Sequence, residues 1–322
     1  MKRLMIYCFY DSDGIVEDYV QYFLKSFKPH CKEICTVING FVTKESEIKL
    51  NECADKVLIR ENFGYDACAY KFGIESYGYE EIKKYDELII ANSTFYGPIF
   101  PPSDLFDKMD NKAVDFWGIT KYPKSNYKMA NVEVNEHIQS YFISIRKSIL
   151  ESASFKAYWE TLKIPNSYSE AIAFHELRFS KFFAEKNFKY DSYIDLKKYE
   201  NKMKSHIYFY PICQQVEEDR MPFIKRKIFI EAKGLFYNYI EKDPLYLLDY
   251  VRNNTNYDIN LIINDIERTS LAKDTGFIIF VKFLYCFFCL IFLFWQYKHY
   301  IQKIEALVTF TRYKRKLKIW KQ

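Results

Sequence analysis

The sequence is short of the two residues that punctuate loops: 322 residues include only 9 glycines and 9 prolines. With 49% of residues hydrophobic and 19% aromatic, that scarcity excludes a low-complexity or collagen-like chain and predicts an ordered globular protein. Excess charge is lacking as well. Lys and Arg total 47 against 42 Asp and Glu, a balance that argues against nucleic acid as a partner. After Met1, "KRLMIYCFYD" holds too short an apolar run for a secretory signal, so the N-terminal region is expected to stay where it is made. The eight cysteines are scattered. The one CxxC, Cys286 and Cys289, lies inside "LYCFFCLIF" without a second pair or a nearby His, which argues against a metal or redox centre and for a reducing compartment.

What is present is alternation. "LMIYCFY" (4–10) reads as a buried strand, and the next segment carries Val16, Val20, Phe23, Leu24 and Phe27 at helical spacing. Further strands are expected at 33–40, 56–60, 86–92 and 115–120, with helices at 66–78 and in "PPSDLFDKM". Residues 137–146 read as a strand running into a helix, 167–188 as one long helix, and 206–212 as the closing strand. The pattern predicts an α/β fold with a mostly parallel, Rossmann-like sheet and flanking helices over residues 1–230. A mixed helical connector should follow at 231–270, then a membrane-associating extension at 271–322. Within it, residues 276–295 hold one charge, Lys282, and at 1.5 Å of rise per residue this run just matches a hydrocarbon core. Lys298, Lys303, Arg312, Lys314, Arg315, Lys316, Lys318 and Lys321 come after it against the single acid Glu305. That asymmetry favours a helix lying on the cytoplasmic face of the plasma membrane with its tail on anionic lipid.

Ligands of parallel α/β sheets bind beyond the carboxyl ends of the strands. The residues expected there are Asp11, Asp13, Asn39, Arg60 to Asp66, Asn92 to Thr94 and Thr120, nearly all polar. In "RENFGYDACAY", Arg60 offers a planar fork for phosphate, Gly64 permits close backbone approach, and Asp66 precedes a helix whose start favours a diphosphate. A transferase also needs a proton acceptor, for which Asp115, His137, His175 and Glu176 are candidates.

"RENFGYDACAYKFGI", "YDELIIANSTFYGPIFP", "DFWGIT", "HIQSYFISIRKSIL", "AFHELRFSKFF" and "PFIKRKIF", in this order, resemble the rhamnan synthesis protein F family of bacterial cell-surface polysaccharide glycosyltransferases. The resemblance implies a GT-A-like domain that takes a nucleotide-sugar donor, dTDP-L-rhamnose in the family, and extends a lipid-linked glycan at the cytoplasmic membrane surface with inversion. It implies donor-binding roles for Arg60, Asn62, Gly64, Asp66, Asn92 and Gly97, which Asp11, Ser93 and Thr94 join as candidates from their places at strand ends. Trp117, His137 and Gln139, with His175 as a further candidate, fall on the acceptor side, and Asp115 or Glu176 is expected to take the acceptor proton. The family turn reads Asn-Asp-Ser where this chain has Asn92-Ser93-Thr94. The carboxylate suited to Mg2+ or Mn2+ is therefore missing, and the rival reading is a catalytically weakened, membrane-bound accessory or glycan-binding subunit.

Overall fold

The computed structural model describes residues 1–202, 211–230 and 244–269. Two compact units emerge, Met1–Ile224 and Lys225–Gln322. In the first, the strands of the main sheet are β1 (Arg3–Phe9), β2 (Glu33–Asn39), β3 (Lys56–Arg60), β4 (Glu87–Asn92), β5 (Phe116–Tyr122), β6 (His137–Ile138), β7 (Phe142–Arg146) and β8 (Tyr190–Asp195). They form one sheet in the order β8-β5-β7-β4-β1-β2-β3, with β6 paired to β5. The sheet is mixed and mostly parallel: β7 runs antiparallel to β4 and β5, and β6 antiparallel to β5.

Every residue of β1 and β4 is buried, the signature of central strands covered on both faces. Helix α1 (Asp18–Phe27) buries Tyr19, Val20, Phe23, Leu24 and Phe27. On α3 (Tyr65–Tyr77), Gly73 lets the helix settle on the sheet, since a Cβ there would stand 2.6 Å from Ile6 Cγ2. Lys44–Asn51 forms α2, capped by the Thr43 side chain on Ser46 N–H. Pro102–Asp110 forms α4 and Ala153–Glu160 forms α5.

Because β1 to β5 and β8 point the same way, the sheet has two chemically different edges. At the amino edge, fully buried Glu87 meets Arg3 Nε at 2.6 Å, Arg146 Nε at 3.3 Å and Trp117 Nε1 at 3.3 Å. Arg3 continues to Asp110 at 2.6 Å. Buried charges persist when each is paired in this way.

Three expectations change. Residues 137–146 do not run from strand into helix: they make β6 and β7, and helix begins only at Lys147. Insertion of β7 between β4 and β5 commits its backbone to two ladders. The 167–188 helix is an α-turn at Tyr168–Ala171, a π-helical stretch at Ile172–Leu177 and an α-helix at Arg178–Ala184. Of the strand expected at 206–212, residues 206–210 lie outside the described residues and Ile212 starts the helix Ile212–Asp219.

The second unit, in its described part, is helical at Pro244–Asn254 and from residue 260. Buried Asp265 accepts from Arg226 at 2.8 and 2.9 Å. The apolar run 276–295 and the basic tail lie outside the described residues. Among the described residues, no helix is long and apolar enough to cross a membrane.

Candidate functional site

The carboxyl edge gathers polar side chains from the loops after β1, β2, β3 and β4. Arg60, the last residue of β3, is 8% exposed. Its Nη1 donates to Asn39 Oδ1 and, at 3.0 Å, to Phe63 O, and its guanidinium lies 4.2 Å from the Phe63 ring centre. Burial pulls its pKa down. Among the described residues no carboxylate lies in salt-bridge range of it. The backbone then turns sharply, with Gly64 at φ +66° and Tyr65 at φ +56°. Gly64 is needed for space as well, because a Cβ would fall 2.2 Å from Cys68 Sγ. The amino end of α3 thus starts beside a buried cation whose hydrogen-bond acceptors are neutral.

Asp66 connects this corner to the turn after β4. Its Oδ2 accepts from Asn92 Nδ2 at 2.8 Å, and its Oδ1 from Ala67 N–H at 2.9 Å. Asn92 Oδ1 in turn accepts from Thr94 N–H at 3.2 Å and Oγ1 at 2.7 Å. Ser93 is buried: its carbonyl accepts from Tyr19 Oη at 3.1 Å, and its Oγ lies 3.5 Å from Tyr10 N. The rest of the turn is scaffolding. A Cβ on Gly97 would stand 2.4 Å from Pro222 O, Ile99 N–H donates to that carbonyl at 2.9 Å, and Phe95 meets Phe223 at 4.4 Å between ring centres. The "PF" of the last motif is the support on which this turn rests. Asp11 is engaged nearby in its own turn, accepting from Asp13 and Ile15 N–H at 3.0 and 3.2 Å.

A third group comes from the 137–141 segment and the π-helical stretch. Glu176 Oε2 accepts from Ser140 N–H and Oγ–H, both at 2.8 Å, and its Oε1 lies 3.6 Å from His137 Nε2. Burial alone would push the Glu176 pKa up, but the contacts with His137 and Ser140 outweigh it and hold the carboxyl down at about 2. His137 Nδ1 lies 2.7 Å from Asn135 O, and its ring stacks on Tyr122 at 5.4 Å. Thr120 Oγ1 donates to Gln139 Oε1 at 2.7 Å and lies 3.0 Å from Tyr141 Oη. Tyr70 joins the groups: its hydroxyl donates to Ser140 O at 3.3 Å. Asn92 N–H donates to Tyr141 O at 3.2 Å, so hydrogen bonds lead from Asp66 through Asn92 to the 140–141 segment, where Ser140 binds Glu176.

Three of the expected site residues lie elsewhere. Asp115 precedes β5 and so falls at the opposite edge, with Ser148 Oγ at 2.6 Å and Lys189 N at 2.7 Å on its two oxygens. It is a structural brace, not a base. Trp117 is fully buried mid-strand against Glu87, at the amino edge. His175 points into the core, with Nδ1 2.9 Å from Tyr158 Oη and its ring 5.6 Å from Trp159; burial lowers its pKa to about 4. Adjacent positions on a helix project in different directions, so Glu176 reaches the site and His175 does not. Glu176 itself, held at about 2, is a weak proton acceptor near neutrality. Asn62 is exposed in the loop beside Arg60. Tyr70 was missed, although its spacing of four from Asp66 puts both on one helix face.

Among the described residues, no three of His, Cys, Asp and Glu converge as a metal cage. The donor set still fits the other mode of Mg2+ binding, in which one or two carboxylates are completed by substrate phosphate oxygens. Asp66 is the carboxylate placed for it.

The family model described as rhamnan synthesis protein F matches residues 34–304. The uncharacterized protein y4gN of Sinorhizobium fredii is 27% identical over 150 residues, which cover 47% of this chain and 38% of that protein. The match thus spans well under half of that relative's length. Among solved structures, a putative nucleotide-diphospho-sugar transferase from Desulfovibrio desulfuricans G20 is similar over 74% of this chain and 99% of its own, at 10% identity and TM-score 0.38. TarS 1-349 of S. aureus is similar over 54% of each chain, at 16% identity and TM-score 0.34.

Proposed function

The chain belongs to the rhamnan synthesis protein F family, and from that premise we propose that it is a glycosyltransferase. It moves a sugar from a nucleotide-activated donor, dTDP-L-rhamnose, to a lipid-linked glycan, with inversion at the anomeric carbon, during assembly of a cell-surface polysaccharide. Its place of work is the cytoplasmic face of the plasma membrane, where the C-terminal apolar segment attaches it.

The observation that carries the reading is Arg60. A buried guanidinium that no carboxylate of the described residues meets in salt-bridge range, with only the Glu61 charge acting from beyond it, is costly, and a diphosphate would supply charge to the planar fork, aided by the amino end of α3. In this arrangement Asn39 and Phe63 fix the Arg60 plane, and Asp66 with Asn92 faces the sugar. Glu176 acts by position: it clamps the 137–141 segment through Ser140. A divalent cation held by Asp66 would neutralise charge on the leaving diphosphate.

Calorimetric titration with dTDP-L-rhamnose, UDP-sugars and GDP-sugars, each with and without Mg2+ or Mn2+, tests the proposal. Micromolar-range binding of one donor, together with its turnover on a lipid-linked acceptor, is expected. Failure of every donor to bind would overturn it and leave the accessory-subunit reading.

A further inference from the structure

Three loop tips on the carboxyl edge carry large apolar side chains into solvent. Phe41 follows β2 and is 60% exposed; Ile164 and Tyr168, in the connection from α5 to the π-helical stretch, are 56% and 58% exposed. After Met1 these are the most exposed large hydrophobic residues among the described ones. The third tip is Tyr127, in the excursion between β5 and β6, at 46%. The tips border the site: Gly64 lies under Ile164, whose Cγ2 is 3.4 Å from the position of an added Cβ, and Phe41 packs over Gly14.

Each tip also carries its own cation. Lys44 stands three residues after Phe41, Lys124 and Lys128 flank Tyr127, and Lys163 precedes Ile164. All four are exposed, and none lies in salt-bridge range of a carboxylate among the described residues. Solitary exposed hydrophobes are ordinary. Apolar tips with adjacent unpaired lysines, repeated on separate loops around one site, are not.

We propose that this rim is the surface by which the domain rests on a lipid bilayer, with Phe41, Tyr127, Ile164 and Tyr168 seated among the headgroups and the four lysines on lipid phosphates. Tyr and Phe suit that boundary, where one end of a side chain is wet and the other apolar. Tips on separate loops suit a deformable occupant better than a rigid protein face. Glu61 and Glu133 share the edge, which limits net attraction and leaves apolar insertion as the larger contribution. The inference rests on the transferase reading in one respect: a site mouth facing the bilayer would receive a lipid-linked acceptor without lifting it into water.

The test uses the full chain with a tryptophan introduced at the rim, Ile164→Trp, or at the amino edge, Asn111→Trp, each compared with the parent protein. With vesicles of phosphatidylcholine and phosphatidylglycerol bearing brominated acyl chains, the added fluorescence of Ile164→Trp should be quenched roughly threefold more than that of Asn111→Trp. Amide exchange in 38–44, 124–131 and 161–169 should slow when vesicles are added. Equal quenching at both positions would overturn the proposal. So would protection of these loops that rises with protein concentration in the absence of vesicles, which would identify a second copy as the occupant. Donor titration of the same variants keeps the two readings separate: donor binding without rim quenching sinks only the rim, and quenching without donor binding sinks only the transferase.

Discussion

The two edges of the sheet use the same residue types to opposite ends. At the amino edge, Glu87 is met by Arg3, Arg146 and Trp117, and Arg3 is shared with Asp110. At the carboxyl edge, the hydrogen bonds of Arg60 go to neutral acceptors and no carboxylate among the described residues reaches salt-bridge range of it, while Glu176 takes its hydrogen bonds from Ser140 with His137 nearby. A buried charge balanced by its neighbours holds a fold together. One that lacks a counter-charge is poised for a ligand. The distinction lies in the partners, not in burial, since Arg3 and Arg60 are buried to nearly the same degree.

The largest effect should come from breaking the balanced edge. Glu87→Ala leaves Arg146 without its carboxylate and Arg3 with Asp110 alone, and should cost about 3–5 kcal/mol of stability in denaturant titration; a loss below about 1 kcal/mol would mean the amino edge is not a structural clamp.

Next come two pH effects. Glu176 is held at about 2 in the fold against an ordinary value of 4.5. Its contribution, roughly 3 kcal/mol at most, is present above the unfolded value and is lost as pH falls from about 4.5 toward 2. His175 is lowered to about 4 from 6.5. The unfolded chain takes up that proton first, so stability is full above 6.5 and declines toward pH 4, again by roughly 3 kcal/mol. His175→Phe should flatten the stability profile between pH 6.5 and 4, and Glu176→Gln the profile below 4.5. Unchanged slopes in melting curves taken across these ranges would refute the contact argument for Glu176 and the burial argument for His175.

The smallest change in stability should follow Arg60→Ala, which removes a charge that no carboxylate of the described residues meets in salt-bridge range. Donor affinity should nevertheless fall roughly 10- to 100-fold, the worth of a charge-assisted hydrogen bond. If Arg60→Ala instead unfolded the protein as readily as Glu87→Ala while leaving donor affinity intact, the contrast between the edges would collapse.

Much of this was legible in the chain. The runs at 4–10, 33–40, 56–60 and 86–92 carried enough apolar residues to mark β1 to β4, and the polar residue closing each run fell at the carboxyl edge as a parallel sheet requires. β8 left no comparable mark, because "YDSYID" alternates weakly and is held in the sheet by pairing with β5. β7 was read partly as helix because Phe142, Ile143 and Ile145 fit either period; its place between β4 and β5 decided the matter. The motif residues Gly97 and Gly118 proved to be packing requirements: added Cβ atoms would meet Pro222 O at 2.4 Å and Ile138 Cγ2 at 2.1 Å.

The sequence by itself determined that a polar rim follows the first four strands and that Arg60, Asp66 and Asn92 belong to it, because local apolar periodicity marks where each strand stops. Only the tertiary structure decided which charged residues act together. Asp115 and Asp66 look alike in the chain, yet the direction of a strand sends one to the structural edge and the other to the site. His175 and Glu176 are neighbours, yet the helix turns one into the core and the other toward Ser140. Ser93, where an acid was expected, is buried, with its Oγ near Tyr10 N and its carbonyl accepting from Tyr19, and a carboxylate reaches its turn from the start of α3, as Asp66 bonded to Asn92. Direction and partnership are properties of the packed chain, since they depend on residues far apart in sequence.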